Sequence, residues 1–204
     1  MTNKHTQTTH QKMRTAGIHV VAEGLSTYIL ETLCGYALDD PSKPINIIFR
    51  SPGGDVFEAL ATADAINAAR TILDPGVPIV GTVHGHAESA GSLLLQFCDV
   101  RKITNHSYIM VHGMSQNIFG ADEARQEANR ELMQSLRDTF IQAYSSRSTI
   151  PLSTWRRYMK SSLPRYYTAR QALEAGLVDE VVDNIPSFFK HVSNTSELEV
   201  DEDE

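Results

Sequence analysis

Three short apolar runs constrain the fold of this chain most: Ile45-Asn-Ile-Ile-Phe49, Ile79-Val-Gly-Thr-Val83 and Tyr108-Ile-Met-Val111. Each is strand-length, rich in β-branched or aromatic residues, and too apolar to leave one face in water. A fourth run, Ile18-His-Val-Val21, precedes them. Between and after the runs lie segments with apolar residues at helical spacing, at Leu25–Leu38, Val56–Leu73, Ser92–Cys98, Ala121–Tyr144, Leu152–Met159 and Thr168–Ala175. Buried strands alternating with helices predict an α/β fold with parallel pairing, its strands connected through crossover helices.

The chain has 204 residues, a length that suits one domain with tails. Such a chain buries roughly 70% of its unfolded surface and needs no metal or disulfide to hold a core. Its two cysteines, Cys34 and Cys98, make no disulfide framework and fit a reduced, cytoplasmic setting. No apolar run is long enough to span a membrane. The net charge is −7, but six acids crowd into Glu197–Glu204, and without them acids and bases nearly balance. A body of that balance argues against nucleic acid as the partner. Residues 1–13 read as a flexible polar arm, 14–186 as the folded domain and 187–204 as an acidic tail.

Three strand ends carry candidate chemistry. Ser89 lies between a buried strand and a helix, in His84-Gly-His-Ala-Glu-Ser-Ala-Gly91, expected as a turn. A nucleophilic serine needs a sharp turn that exposes its hydroxyl, small neighbours, and a helix N-terminus with free N–H groups. The plainer reading is a serine capping the helix. Ser51-Pro-Gly-Gly54 follows the strand ending at Phe49, and its two glycines free a backbone N–H to face a cleft. With the N–H of the residue after Ser89, it would make an oxyanion hole; otherwise it is an ordinary turn. His112 ends the strand Tyr108–Val111, at the carboxyl edge where sites of α/β sheets gather. An imidazole there can take a proton from the serine and return it to a leaving amine. His84 and His86 are two residues apart, but no third metal ligand is in view, and no metal is expected.

Together, Ser51-Pro-Gly-Gly54, Gly85-His-Ala-Glu-Ser89-Ala-Gly, Tyr108-Ile-Met-Val-His112 and Thr168-Ala-Arg-Gln-Ala-Leu-Glu-Ala-Gly-Leu-Val-Asp179 resemble the ClpP family of serine peptidases, in that family's order and near its spacing. The resemblance covers roughly residues 14–183. It implies a ClpP/crotonase-like fold of stacked ββα units with a protruding handle helix at Ala121–Tyr144. It maps the nucleophile to Ser89, the general base to His112, and the oxyanion donors to the N–H groups of Gly54 and Ala90. It implies a polypeptide substrate and heptameric rings stacked in pairs. It also implies a Clp-type ATPase partner, whose docking the short polar N-terminus puts in question. The substrate is expected as an added strand between Gly54–Phe57 and Gly113–Asn117, with Gly53, Asp55, Val56, Gly113 and Met114 binding it. Hydrolysis needs no cofactor.

One element of the family pattern is missing. The triad acid would fall on Pro164, and no Asp or Glu occurs anywhere from Thr139 to Leu173, a stretch with six bases. Such an acid orients the imidazole and stabilises its charged form. Three readings follow. A Ser89–His112 dyad works with a backbone carbonyl, Ser161, Ser162 or water holding the ring. A carboxylate reaches in from elsewhere in the chain or from a neighbouring subunit, Glu88 being nearest in sequence. Or the chain is a weak or inactive ring subunit with a structural role. An acyl-CoA enzyme of the crotonase type is a further rival, disfavoured by the Ser89–His112 pair.

Overall fold

The structure, a computed structural model, describes residues 18–22, 29–114 and 123–183. The expected arm (1–13) and acidic tail (187–204) lie outside the described residues. The chain runs β1 (Ile18–Ala22), α1 (Ile29–Asp39), β2 (Ile45–Ser51), α2 (Val56–Ile72), β3 (Ile79–Glu88) and α3 (Ala90–Leu95). It continues as β4 (Val100–Thr104), β5 (Tyr108–Val111), α4 (Glu123–Ser145), α5 (Leu152–Tyr158), β6 (Arg165–Thr168), α6 (Ala169–Glu174) and β7 (Glu180–Val182).

The sheet order is β1-β2-β3-β4-β7, all parallel as the alternation predicts. β2 is buried along most of its length: Ile45, Ile47 and Phe49 share one face and join the core, and Ile48 on the other face is also buried. α2 meets the core with Ala59, Ala63, Ile66 and Ala69, a helical stripe of mostly small side chains. α3 is fully buried, with Leu93, Leu94 and Leu95 at 0% exposure.

Two expectations are corrected here. The segment His84–Glu88, expected as part of a turn, continues β3. β3 pairs with β4 as far as Val83↔Ile103, then changes partner and pairs with β5 from His86↔Tyr108 to Glu88↔Met110. Gly85 sits at the change with φ +97°, a backbone closed to most side chains, and its N–H donates to Ser107 Oγ at 2.7 Å. The bend curls the sheet and brings the end of β3 beside β5, while Ala87 still pairs with Ser51 of β2. Pairing is also not wholly parallel, since β6 joins β5 antiparallel.

β4 and β6 escaped the apolar-run reading because both are charged or half-exposed. Arg101 of β4 is only 3% exposed. Its guanidinium meets both oxygens of Asp179, at 2.5 and 3.1 Å, and donates to Gln96 Oε1 and to the carbonyls of Gly176 and Arg147. A buried cation is tolerated only when its donors are satisfied this way. Burial of Asp179 pushes its carboxyl pKa up, but hydrogen bonds and charge from Arg101 outweigh this, and the net shift is downwards from 3.8. A carboxyl lowered in the folded state adds stability above its unfolded pKa and loses it as pH falls through the folded value. The Arg101–Asp179 contribution is therefore complete at neutral pH and lost only below about pH 4. Asp179→Asn is expected to cost about 2 kcal/mol at pH 7, less than a fully buried pair because Asp179 is partly exposed. A lower urea midpoint with unchanged slope checks it, and the cost should shrink at pH 3.

Candidate active site

β3 ends at Glu88 and α3 starts at Ala90, so Ser89 alone makes the corner. Its backbone is at φ 50°, ψ −120°, and it is the one non-glycine residue with positive φ among the described residues. Such a conformation costs roughly 1–3 kcal/mol and persists only when its surroundings impose it. The restraints are visible: Ser89 N–H donates to Met110 O at 2.8 Å, and Ser89 O accepts from the N–H groups of Ser92 and Leu93 at 3.0 and 3.1 Å. Ser89 occupies the N-cap position of α3, yet its side chain makes no capping hydrogen bond. The hydroxyl is therefore not used in the way the plainer reading requires.

Gly53 lies directly behind the corner. A Cβ there would come within 2.9 Å of both Glu88 O and Ser89 Cβ and 3.2 Å of Ala90 N, and its φ is +96°. Only glycine lets the β2–α2 turn approach the serine corner so closely. Ser51 Oγ accepts the Gly53 N–H at 3.1 Å, fixing the turn from inside. Asp55 caps α2, its Oδ1 accepting from Phe57 N–H and Glu58 N–H at 2.8 and 3.1 Å.

Ser89, Ala90 and His112 face one cavity of about 310 Å³ together with Gly54, Asp55, Val56 and Met114. The structure thus brings together seven of the nine residues singled out from the sequence. Gly53 and Gly113 are buried behind this wall. The remaining wall is apolar: Phe57 from α2, and Leu132, Met133, Leu136, Phe140 and Tyr144 from α4. Leu132, Leu136 and Phe140 belong to the apolar helical spacing expected over Ala121–Tyr144. Their spacing of four continues to Tyr144, but a core stripe and a cavity wall share that signature.

The segments expected to flank the substrate strand are partly engaged already. α2 already begins at Val56, and the N–H of Phe57 is taken by the Asp55 cap, so Val56–Phe57 offers no strand edge. The N–H of Gly113 donates to Ser161 O at 2.8 Å and is equally committed. Residues 115–117 lie outside the described residues.

The imidazole of His112 has its Nδ1 2.8 Å from the carbonyl oxygen of Gly113. A carbonyl only accepts, so Nδ1 carries the proton in this contact, and in the neutral tautomer that fits it the lone pair is on Nε2. Glu88 is engaged elsewhere, its Oε1 accepting from Tyr108 O–H at 2.8 Å, and that bond raises the Tyr108 pKa above its usual value. Alternation along β3 explains this, because Glu88 and Ser89 leave the strand in opposite directions. His86 stacks on the Tyr108 ring, with centroids 5.9 Å apart. Among the described residues, no three His, Cys, Asp or Glu side chains are grouped to hold a metal ion. No helix among them is long and apolar enough to cross a membrane.

A strained serine between a parallel strand and a buried helix, sharing a cavity with an imidazole from the adjacent strand end, is the arrangement of α/β serine hydrolases. The chain belongs to the Clp protease family, whose model matches residues 4–185. It is similar to ATP-dependent Clp protease proteolytic subunit 2 of Bifidobacterium longum, at 28% identity over 165 residues, 79% of this chain and 75% of that protein. It is similar also to proteolytic subunit 1 of Protochlamydia amoebophila, at 28% over 180 residues, 86% of this chain and 81% of the relative. The proteolytic subunit of Deinococcus radiodurans is 28% identical over 146 residues, 71% of this chain and 67% of its own length. The mixed α/β fold with its curled sheet agrees with this membership.

Proposed function

We propose that this chain is a serine endopeptidase subunit that cleaves peptides or unfolded polypeptides through an acyl-enzyme. Ser89 Oγ attacks the peptide carbonyl while His112 Nε2 takes its proton. The N–H groups of Gly54 and Ala90 hold the oxygen as it becomes negative. The amide C–N bond then breaks, and His112 returns the proton to the leaving amine. Water, deprotonated by His112, releases the acyl group and regenerates Ser89. The observation that carries this reading is the Ser89 side chain at an N-cap position, on a strained corner, with its hydroxyl not used as a cap.

In this mechanism the Gly113 carbonyl takes over the orienting task of a triad acid. It holds the Nδ1–H tautomer but brings no negative charge to stabilise the imidazolium, so turnover is expected below that of a complete triad. The apolar α4 wall suits an apolar substrate side chain next to the scissile bond. Membership of the Clp protease family is consistent with a ring oligomer, and in this reading the rings are heptamers stacked in pairs with α4 as the handle. A Clp-type ATPase would then feed the chamber in the cytoplasm.

Incubation of the assembled protein with a fluorophosphonate probe tests the reading, with native mass determining the ring count. Labelling at Ser89, absent in Ser89→Ala, is the expected result. An assembled ring that resists the probe and leaves unfolded polypeptides intact would point instead to a structural ring subunit, the reading that the missing carboxylate favours.

A further inference from the structure

The elbow rests on a buried pair of hydroxyls to which the mechanism above gives no role. Tyr144 of α4 is 2% exposed, and its ring stacks on Trp155 with centroids 4.7 Å apart and planes at 14°. Its hydroxyl lies 2.7 Å from Ser92 Oγ and 3.5 Å from the carbonyl oxygen of Ser89. Ser92, at 0% exposure, has its Oγ 2.8 Å from Ser89 O and 3.0 Å from Met110 O. Carbonyl oxygens only accept, so the single Ser92 proton goes to one of them, and Ser89 O is the nearer. The Tyr144 proton then has Ser92 Oγ as its one short acceptor. Burial raises the Tyr144 pKa far above its usual value, so the phenol stays protonated and keeps donating. The chain of donors runs Tyr144 O–H to Ser92 Oγ, then Ser92 O–H to Ser89 C=O.

The end of this chain matters because the Ser89 carbonyl and the Ala90 N–H belong to one peptide group. The described residues contain no cis peptide, and in a trans peptide the C=O and N–H point in opposite directions. Drawing the oxygen down onto α3 turns the N–H out towards the cavity that Ala90 lines. Hydrogen bonds to the oxygen also pull electron density from the nitrogen and make the N–H a stronger donor.

We infer that Tyr144 and Ser92 are positioning residues for the oxyanion site, acting in series through the Ser89–Ala90 peptide to aim and polarise the Ala90 N–H. This rests on the acyl-enzyme reading of Ser89. A competing account is a serine back-bonding within its own helix, with Tyr144 a core residue whose hydroxyl is merely satisfied. That account predicts altered stability and unaltered transition-state binding.

The test uses the full chain in its native assembly and a chromogenic apolar peptide substrate. Tyr144→Phe keeps the ring and its stacking on Trp155. It is expected to lower kcat about tenfold with KM within about twofold, less than outright loss of an oxyanion donor. Ser92→Ala, a small change that favours the helix, is expected to lower kcat at least as much. The double variant should be little worse than Ser92→Ala, because Tyr144 acts mainly through Ser92, its direct contact with Ser89 O being long at 3.5 Å. A peptide boronate forms a tetrahedral adduct on Ser89 and places an oxygen where the oxyanion forms. Its affinity should fall in parallel with kcat, while the same peptide lacking boron binds the Ser89→Ala protein equally with and without Tyr144→Phe. Unchanged kcat in folded variants, additive losses, or boronate and plain peptide weakening together would each overturn the inference. If wild type hydrolyses the peptide and Ser89→Ala does not, such a result defeats the positioning role alone. If wild type neither hydrolyses nor labels, the peptidase reading fails and this inference with it.

Discussion

Ser89→Ala is expected to abolish fluorophosphonate labelling and to lower peptide hydrolysis by about 10⁴-fold or more while leaving the fold intact. In a complete triad, loss of the nucleophile costs about 10⁶ in kcat. Here a lower starting rate is expected, because the group at 2.8 Å from His112 Nδ1 is a neutral carbonyl rather than a carboxylate, so the measurable drop should be smaller. The strain at Ser89 adds a second signature. Glycine is at ease at positive φ, where alanine is as uncomfortable as serine. Ser89→Gly should therefore be as inactive as Ser89→Ala but more stable by about 1 kcal/mol, measured by urea unfolding. Equal stability of the two variants would mean that the corner stores no strain. Hydrolysis surviving in both would remove Ser89 from the mechanism.

Gly113→Ala is expected to cut kcat by about 10²-fold, because it moves the imidazole rather than removing it. A Cβ at Gly113 would collide with the carbonyl of Met159 and come within 2.7 Å of Ser161 O. The same glycine donates its N–H to Ser161 O and receives the His112 ring on its own carbonyl, both at 2.8 Å. Backbone must shift, and both bonds go with it. The probe should react with Ser89 more slowly by a similar factor, since imidazole assistance is needed for that step as well. By contrast, Pro164→Ala should stay within about twofold of wild type, as Pro164 is exposed and the ring has its partner at Gly113. A large loss at Pro164 with none at Gly113 would move the orienting group to the 162–165 segment.

These two glycine and serine positions show how unevenly the site was legible. The corner at Ser89 could be placed from its neighbours, because a buried strand, a short glycine-containing stretch and a helix are local patterns. The absence of a carboxylate from 139 to 173 was equally plain from the chain itself. A backbone carbonyl was one of the holders weighed for the ring, but which one was not legible, because the contact is with a main-chain oxygen one residue beyond His112 and every residue type carries one. β4 was missed for a related reason. Arg101 reads as a surface residue until Asp179, 78 positions later, arrives to pair with it. The β3 extension was missed because Gly85 and its neighbours have turn composition, and only pairing with β5 makes them strand.

The amino-acid order by itself determined the alternation of elements and the strand ends at which Ser89, His112 and Gly54 sit. Those features follow from hydrophobic period and turn chemistry over a few residues. Tertiary structure alone decided which groups these residues meet: Gly113 O for His112, Tyr108 for Glu88, Ser92 and Tyr144 beneath the elbow, and the α4 wall around the cavity. Hydrogen bonds and packing act over a few ångströms in space, between residues as many as 52 apart in the chain for Ser92 and Tyr144, a separation over which local pattern carries no information.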